Sequence, residues 1–238
     1  MPKIICKIAD IVTEVPSLGG LELRCGDYIY NGDELPDIII DEGKYHPEKY
    51  GCNFSADNIA YMESARQFYS QLLHKDGFYL HSSAVELDGR AYLFSGKSGV
   101  GKSTHTRLWQ QLFGDRVHIF NDDKPALRCI DGKWYAYGTP WCGKDGINQN
   151  MKVPLAGICF LKQAPHNKIR RLSAVEAIPM VTAQTIYRFK NGEMLELLLA
   201  HLDKLLRTVP IYELENRPEN EAAVMSYEAM SGNTKEKI

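Results

Sequence analysis

Gly96-Lys97-Ser98-Gly99-Val100-Gly101-Lys102-Ser103-Thr104 decides how this chain is read. The stretch fits G-x-x-x-x-G-K-[ST], the phosphate-binding P-loop pattern. Before it, Arg90-Ala91-Tyr92-Leu93-Phe94-Ser95 is aromatic and apolar and predicts a strand. After it, Ser103 to Phe113 carries apolar residues at helical spacing. Strand, glycine-rich loop and helix in that order form the context the pattern requires. Gly96, Gly99 and Gly101 let the backbone turn tightly with no Cβ in the way. The loop amides and the positive end of the helix are then expected to converge on phosphate oxygens. Lys102 is expected to reach the β- and γ-phosphates, and the Ser103 hydroxyl to ligate Mg²⁺. The whole run from Gly96 to Thr104 is thus a candidate site for ATP or another nucleoside triphosphate.

Such a loop needs a carboxylate at the end of a nearby strand. Ile119-Phe120-Asn121-Asp122-Asp123 offers two. Side chains alternate along a strand, so adjacent carboxylates point to different sides. One is expected to help Ser103 hold Mg²⁺, a role Asp123 can fill. The other is expected to take the proton of an attacking hydroxyl. The residues do not say which does which. Asp122-Asp123-Lys124-Pro125 also has turn composition, so the aspartates could instead cap backbone amides. His81, read as mid-strand in Tyr79-Leu80-His81-Ser82-Ser83, is by itself an ordinary strand histidine. Lys144, in the Gly/Pro-rich loop Gly138–Gly146, is either a second phosphate cation or a solvated lysine. Arg170, Arg171 and Arg188 carry no motif and read as a solvated face.

Outward from the loop the pattern is mixed α/β. Lys3–Val15, Leu21–Tyr30 and Asp37–Ile40 predict strands, and a helix capped by Ser55 or Asp57 runs to about Lys75. Its apolar face is Ile59, Met62, Ala65, Tyr69, Leu72 and Leu73. Residues 1–75 are therefore an N-terminal strand-rich lobe ending in a helix. Residues 76–230 form the P-loop domain, and 231–238 a flexible polar tail. Phe78–Leu87 predicts one strand that turns at Asp88-Gly89 into Arg90–Ser95. Arg116–Asn121, Ala126–Ile130, Trp134–Tyr137, Val153–Leu161, Lys168–Leu172 and Val209–Leu214 predict further strands. Ser173 with Glu176 makes a capping box, a leucine stripe from Leu195 to Leu206 marks a helix from about Gly192, and Pro218 opens a last helix. The sheet is expected to be antiparallel-rich.

Composition narrows the function class. A net charge of −2, from 28 basic and 30 acidic residues, with no Lys/Arg block, argues against a nucleic-acid binder. The six cysteines are scattered without C-x-x-C, so neither zinc nor a disulfide framework is indicated. No signal-peptide core and no run of about 18 apolar residues is present, which predicts a cytoplasmic protein without membrane association. The absence of N-K-x-D and L-S-G-G-Q argues against a GTPase and an ABC ATPase.

The strand with His81, the Asp88-Gly89 turn, Ser95–Ser103 and the Asp122-Asp123 pair together resemble the HPr kinase/phosphorylase family. That family belongs to a wider group with the phosphoenolpyruvate carboxykinases, and the resemblance covers about residues 78–180. It implies a mixed α/β, antiparallel-rich P-loop fold and phosphorylation of a seryl hydroxyl with a nucleotide and Mg²⁺. Lys102 would bind phosphate and Ser103 the metal; one aspartate would be the base and the other would assist the metal. His81 matches a histidine near the site. The family commonly has Glu where Thr104 stands, and its later glycine-rich signature is replaced by Thr139-Pro140-Trp141-Cys142-Gly143-Lys144. The chain looks like a short member, of which some phosphorylate a serine on a ribosomally made peptide and others a small hydroxylated metabolite. The expected partners are a nucleotide and a hydroxyl-bearing peptide, protein or small molecule, and the resemblance is compatible with a homo-oligomer. A carboxykinase-like reaction and a nucleotide-sensing binding module are the alternatives.

Overall fold

A computed structural model describes residues 2–50, 54–185 and 192–232. Cys52, Arg188 and nearly all of the expected tail lie outside them. The first expected strand is in fact a hairpin of β1 (Lys3–Ile8) and β2 (Ile11–Pro16). Ala9 and Asp10 both take positive φ, 52° and 62°, which suits a two-residue turn between strands. Leu21–Tyr30 is not a strand: it forms helix α1 (Gly19–Arg24) and a 3₁₀ turn at Gly26–Tyr28. Leu21 and Cys25, one helical turn apart, are buried, while Leu23 is 85% exposed. A strand would have placed all three on one face. β3 (Ile38–Ile39) runs parallel to β2 and completes a three-stranded sheet.

Helix α2 (Ala56–Leu72) starts at Ser55, whose Oγ accepts from the Asn58 amide at 3.2 Å, and it ends in a 3₁₀ turn at Leu73–Lys75. Ala65, Tyr69, Leu72 and Leu73 are buried as expected; Ile59 and Met62 are only half-buried, and Ala60 and Phe68 take the inner positions. This face joins Ile8, Val15, Tyr28 and Ile38 of the N-terminal segment in one core with Ala126, Tyr137 and Trp141.

The main sheet is built from β4 (Gly77–Tyr79), β5 (Ser82–Leu87), β6 (Arg90–Ser95), β7 (Val117–Asp123), β8 (Ala126–Ile130), β9 (Lys133–Tyr137), β10 (Lys152–Gln163), β11 (Lys168–Arg171) and β12 (Ile211–Asn216). Its order is β4-β8-β9-β10-β6-β5-β7, with β12 on β10 and β11 on β12. Only β6 and β12 run parallel to β10; the other pairs in this sheet are antiparallel. The expected mixed, antiparallel-rich α/β architecture is therefore observed. Asp88-Gly89 (φ 52°, 76°) and Asp131-Gly132 (φ 50°, 75°) turn their hairpins.

The expected strand Phe78–Leu87 is broken at Leu80 and His81, because its two halves pair with different partners, β4 with β8 and β5 with β6 and β7. At the break the Ser82 hydroxyl donates to Leu80 O at 3.0 Å and the His81 amide donates to Gln184 O at 2.8 Å. His81 is thus outside the ladder, not within a strand.

Helices cover both faces. Along β6, Ala91 and Leu93 join a core with α4 (Ala174–Thr182) and α5 (Gly192–Thr208), while Tyr92 and Phe94 join one with α3 (Lys102–Phe113) and α6 (Asn220–Ser231). The Ser173–Glu176 capping box opens α4. Of the leucine stripe on α5, Leu198, Leu202 and Leu205 are buried, whereas Leu195 and Leu199 are 42% and 45% exposed.

Between α3 and α6 one hydroxyl determines a tautomer. Ser226 Oγ accepts from Trp109 Nε1 at 2.9 Å and donates to Ala223 O at 2.9 Å. Its only proton being used, the 3.0 Å contact with His105 Nε2 makes that nitrogen the donor and leaves Nδ1 bare. Burial lowers the His105 pKa from 6.5 to about 3. Between those values the unfolded chain binds a proton that the folded one does not, so stability is full above pH 6.5 and falls as pH drops toward 3. In His105→Phe that slope, at most about 1.4 kcal/mol per pH unit, should vanish from chemical denaturation curves, at a cost near pH 7 of about 1 kcal/mol for the lost hydrogen bond.

Candidate functional site

Strand register gathers the site at one edge of the main sheet. Ser82, at the start of β5, is paired with Ser95 at the end of β6 and with Asp123 at the end of β7. The glycine-rich loop leaves β6 there. Gly96 has φ 140°, and a Cβ on it would stand 3.1 Å from both Leu161 O and Val100 Cγ1. Gly101, at φ 107°, precedes α3, and no side chain caps the helix. The first α3 amide with a backbone acceptor is that of His105, to Gly101 O at 2.8 Å. Lys97, Ser98, Gly99 and Thr104 are exposed, and Val100 is half-buried.

Lys102 is buried and folds back over the loop. Its Nζ donates to Gly96 O at 3.2 Å and Lys97 O at 3.4 Å. Burial pushes its ammonium below the ordinary lysine value, against the pull of Asp123 and Asp122.

The two carboxylates part company. Ser103 Oγ donates to Asp122 Oδ2 at 2.8 Å. Asp123 faces His81, with Nε2 and Oδ1 3.1 Å apart, and forms an ion pair with Lys124 through Oδ2. Burial alone would raise the Asp123 carboxyl, but the His81 hydrogen bond and the Lys124 charge outweigh it and bring the pKa to about 2. Burial alone would likewise lower Lys124, and Asp123 holds it above the ordinary lysine value. Asp123 also takes φ 125°, a strained conformation for a residue with a Cβ. His81 Nδ1 lies 3.0 Å from Gln184 Oε1, so both ring nitrogens are engaged. The turn reading belongs to Asn121: its Oδ1, not an aspartate, accepts the Lys124 amide at 2.9 Å.

A strap from the N-terminal segment backs this arrangement. Lys124 Nζ donates to Tyr61 OH at 3.2 Å, and Tyr61 OH donates to Cys142 O at 2.8 Å. Arg24 and Lys124 each sit over the Tyr61 ring, 5.2 and 5.0 Å from its centroid. Arg24 also donates to Cys142 O at 3.0 Å and contacts its Sγ at 2.7 Å. Cys142 in turn bridges to Asp123, and the Gly143 amide donates to Asp122 O. Lys124 stood beside the aspartates in the sequence and could have been suspected. Arg24, Tyr61 and Gln184 carry no motif, and Arg24 lies 118 positions from Cys142.

Lys144 is exposed and makes no hydrogen bond or ion pair among the described residues, while its neighbour Asp145 pairs with Arg107. Arg170 pairs with Glu176 and Glu213 at the surface. Beside the loop a cavity of about 660 Å³ opens between Gly96–Val100 and the end of α4, with Pro179, Met180 and Gln184 in its wall. No described group of three or more His, Cys, Asp or Glu side chains could cage a metal ion. No described helix is long and apolar enough to cross a membrane.

The family model described as SynChlorMet cassette protein ScmC matches residues 55–217, a span that includes His81, the glycine-rich loop and both aspartates. No curated protein matches the chain. Among solved structures, the Hpr(Ser) kinase/phosphatase from Coxiella burnetii is similar over 66% of this chain and 95% of its own, with 10% identity and a TM-score of 0.36. A score of that size is a distant likeness and does not define a common fold.

His81→Ala should raise the Asp123 pKa from about 2 toward its ordinary 3.8. A depressed carboxylate stabilises the fold above pH 3.8 and loses that contribution as pH falls through 2, so the variant should show less of this acid-linked loss. Carbon-13 NMR titration of the Asp123 carboxyl measures the shift directly, and a value still near 2 would assign the whole effect to Lys124.

Proposed function

This chain belongs to the family of SynChlorMet cassette protein ScmC, and we propose that it is an ATP- and Mg²⁺-dependent kinase that transfers the γ-phosphate to a hydroxyl group, most simply that of serine. One observation carries the reading. The loop Gly96–Thr104 meets two adjacent carboxylates that have separate partners, Asp122 with Ser103 and Asp123 with His81 and Lys124.

The loop amides and the uncapped start of α3 suit phosphate oxygens. Lys102, already tethered to the loop, suits the β- and γ-phosphates. Ser103 and Asp122 are hard oxygen donors side by side, the kind of partial donor set that Mg²⁺ completes with phosphate and water. These two residues would hold the ion, which supplies positive charge to the phosphates. Asp122 thus takes the metal-assisting role for which Asp123 was the sequence candidate.

Asp123 is left for the acceptor. Held near a pKa of 2, it stays ionised at neutral pH and accepts a hydrogen bond from the incoming hydroxyl. It is a weak base. It therefore aligns the oxygen, and takes its proton as the new bond to the γ-phosphorus forms and the bond from that phosphorus to the β–γ bridging oxygen breaks, releasing ADP. With both ring nitrogens occupied, His81 acts as a positioning residue for Asp123. The cavity of about 660 Å³ between the loop and α4 suits the acceptor, because Gln184 in its wall also holds His81. Its apolar lining, including Phe160, Pro179 and Met180, fits a serine flanked by apolar groups, in a peptide, a protein or a small molecule. A nucleotide sensor would need the metal-assisting carboxylate alone, and the separate support and strained backbone of Asp123 favour transfer.

Incubation with γ-labelled ATP, Mg²⁺ and a panel of serine peptides and free hydroxyl compounds, including L-serine, should label one acceptor class. Lys102→Ala and Asp122→Asn should each reduce labelling by about 10²-fold or more, with the fold retained by circular dichroism. Full activity in both variants would sink the kinase reading. Nucleotide binding with no transfer to any acceptor, in a chain that still folds, would favour the sensor.

A further inference from the structure

In the proposed reaction Asp123 receives the acceptor hydroxyl, and one of its oxygens, Oδ2, already carries the Lys124 ammonium. A lysine head rides on a flexible four-carbon stem, so a fixed ammonium needs fixed partners of its own. The backbone of Lys124 is held on both sides. Its amide donates to Asn121 Oδ1 at 2.9 Å, and its carbonyl accepts from the Tyr69 hydroxyl and from Thr139 Oγ1. The head is held by Tyr61 of α2, whose hydroxyl stands 3.2 Å from Nζ and whose ring centroid lies 5.0 Å from it.

A charged lysine only donates, so the Tyr61 oxygen accepts from Lys124 and its single proton goes to Cys142 O at 2.8 Å. The two contacts are therefore compatible and fix the hydroxyl completely. Cys142 O also accepts from Arg24 Nη1 at 3.0 Å. Loss of the Tyr61 hydroxyl would leave that carbonyl bonded, and would remove one thing only, the acceptor that keeps Lys124 beside Asp123.

Asp123 must keep lone pairs open for the incoming hydroxyl. With His81 on Oδ1 and a tethered Lys124 on Oδ2, each oxygen has one partner and room for another. An untethered ammonium would be free to move along the carboxylate into the acceptor's place and to turn it away from the phosphorus. A misplacement of about 1 Å at a reacting group costs up to about 10²-fold in rate. The loop side is independent of this contact, since Lys102 bonds to Gly96 and Lys97, and Ser103 to Asp122.

Resting on the kinase reading, we infer that Tyr61 is a positioning residue for the transfer step, acting through Lys124 on Asp123. Helix α2 of the N-terminal segment then belongs to the machinery that aligns the acceptor, while the glycine-rich loop binds nucleotide without it.

Tyr61→Phe in the full chain keeps the ring against both cations and removes the hydroxyl alone. Proton–nitrogen NMR of the lysine ammonium groups, with the Lys124 signal identified by its loss in Lys124→Met, should show a slowly exchanging Lys124 in the unaltered chain and a weakened or absent signal in Tyr61→Phe. With Mg²⁺-ATP and the acceptor labelled from the serine panel, Tyr61→Phe should lower kcat by at least about tenfold, while the ATP dissociation constant from calorimetry changes by less than about twofold. In the Lys124→Met background the same substitution should have no further effect on kcat, because the two residues act as one unit. An unchanged kcat, a Lys124 signal indifferent to the substitution, full additivity of the two substitutions, or a parallel loss of kcat and ATP affinity would each overturn the inference. Should Tyr61→Phe fail to fold, the unaltered chain decides, since an untethered Lys124 would give no slowly exchanging signal. Absence of transfer by the unaltered chain to every acceptor would remove the kinase reading itself, and this inference with it.

Discussion

Adjacent residues on a strand face opposite ways, and at the end of β7 this rule separates two carboxylates that would otherwise repel each other. Asp122 turns to Ser103 on α3, while Asp123 turns to His81 and Lys124. Each therefore has its own compensating donor or cation, which lets two carboxyl groups stand side by side in a half-buried place. Asp123 also takes a positive φ at the same point where its carboxylate meets the histidine. Everything else at this edge of the sheet is organised around that division.

The division holds because the neighbouring backbone is over-determined. β5 lies between β6 and β7 and sets all three strand ends level, at Ser82, Ser95 and Asp123. The ladder stops at Leu80 and His81, and the freed imidazole stands beside Asp123 and is anchored by Gln184 after α4. From the far side, Tyr61 and Arg24 hold Cys142, in the segment after β9, and Tyr61 links it to Lys124. The N-terminal segment thus helps set the geometry of the site, although none of its residues reaches the glycine-rich loop through a described hydrogen bond.

Some of this was legible in the residue order because it depends on local chemistry. The loop, its flanking strand and helix, the two Asp-Gly turns and the Ser173–Glu176 capping box are each determined within a few residues, by glycine conformations and capping hydrogen bonds. The reading failed where partners from elsewhere decide. Leu21–Tyr30 alternates well enough for a strand, yet α2 and the small sheet bury it as a helix and a 3₁₀ turn. Phe78–Leu87 looks continuous, yet competing strand partners divide it.

The sequence by itself determined the phosphate-loop pattern, the mixed α/β character and the pair of adjacent aspartates. All three are matters of short-range spacing and of the φ values that glycine permits. Tertiary structure alone decided which aspartate faces Ser103, that both nitrogens of His81 are occupied, that Lys124 neutralises Asp123, and that Tyr61 is bonded to Lys124. Apart from the Asp123–Lys124 pair, whose geometry depends on how the strand end is held, those are contacts between residues well separated in the chain, brought together only when the strands have chosen their neighbours and the buried polar groups have been matched to partners.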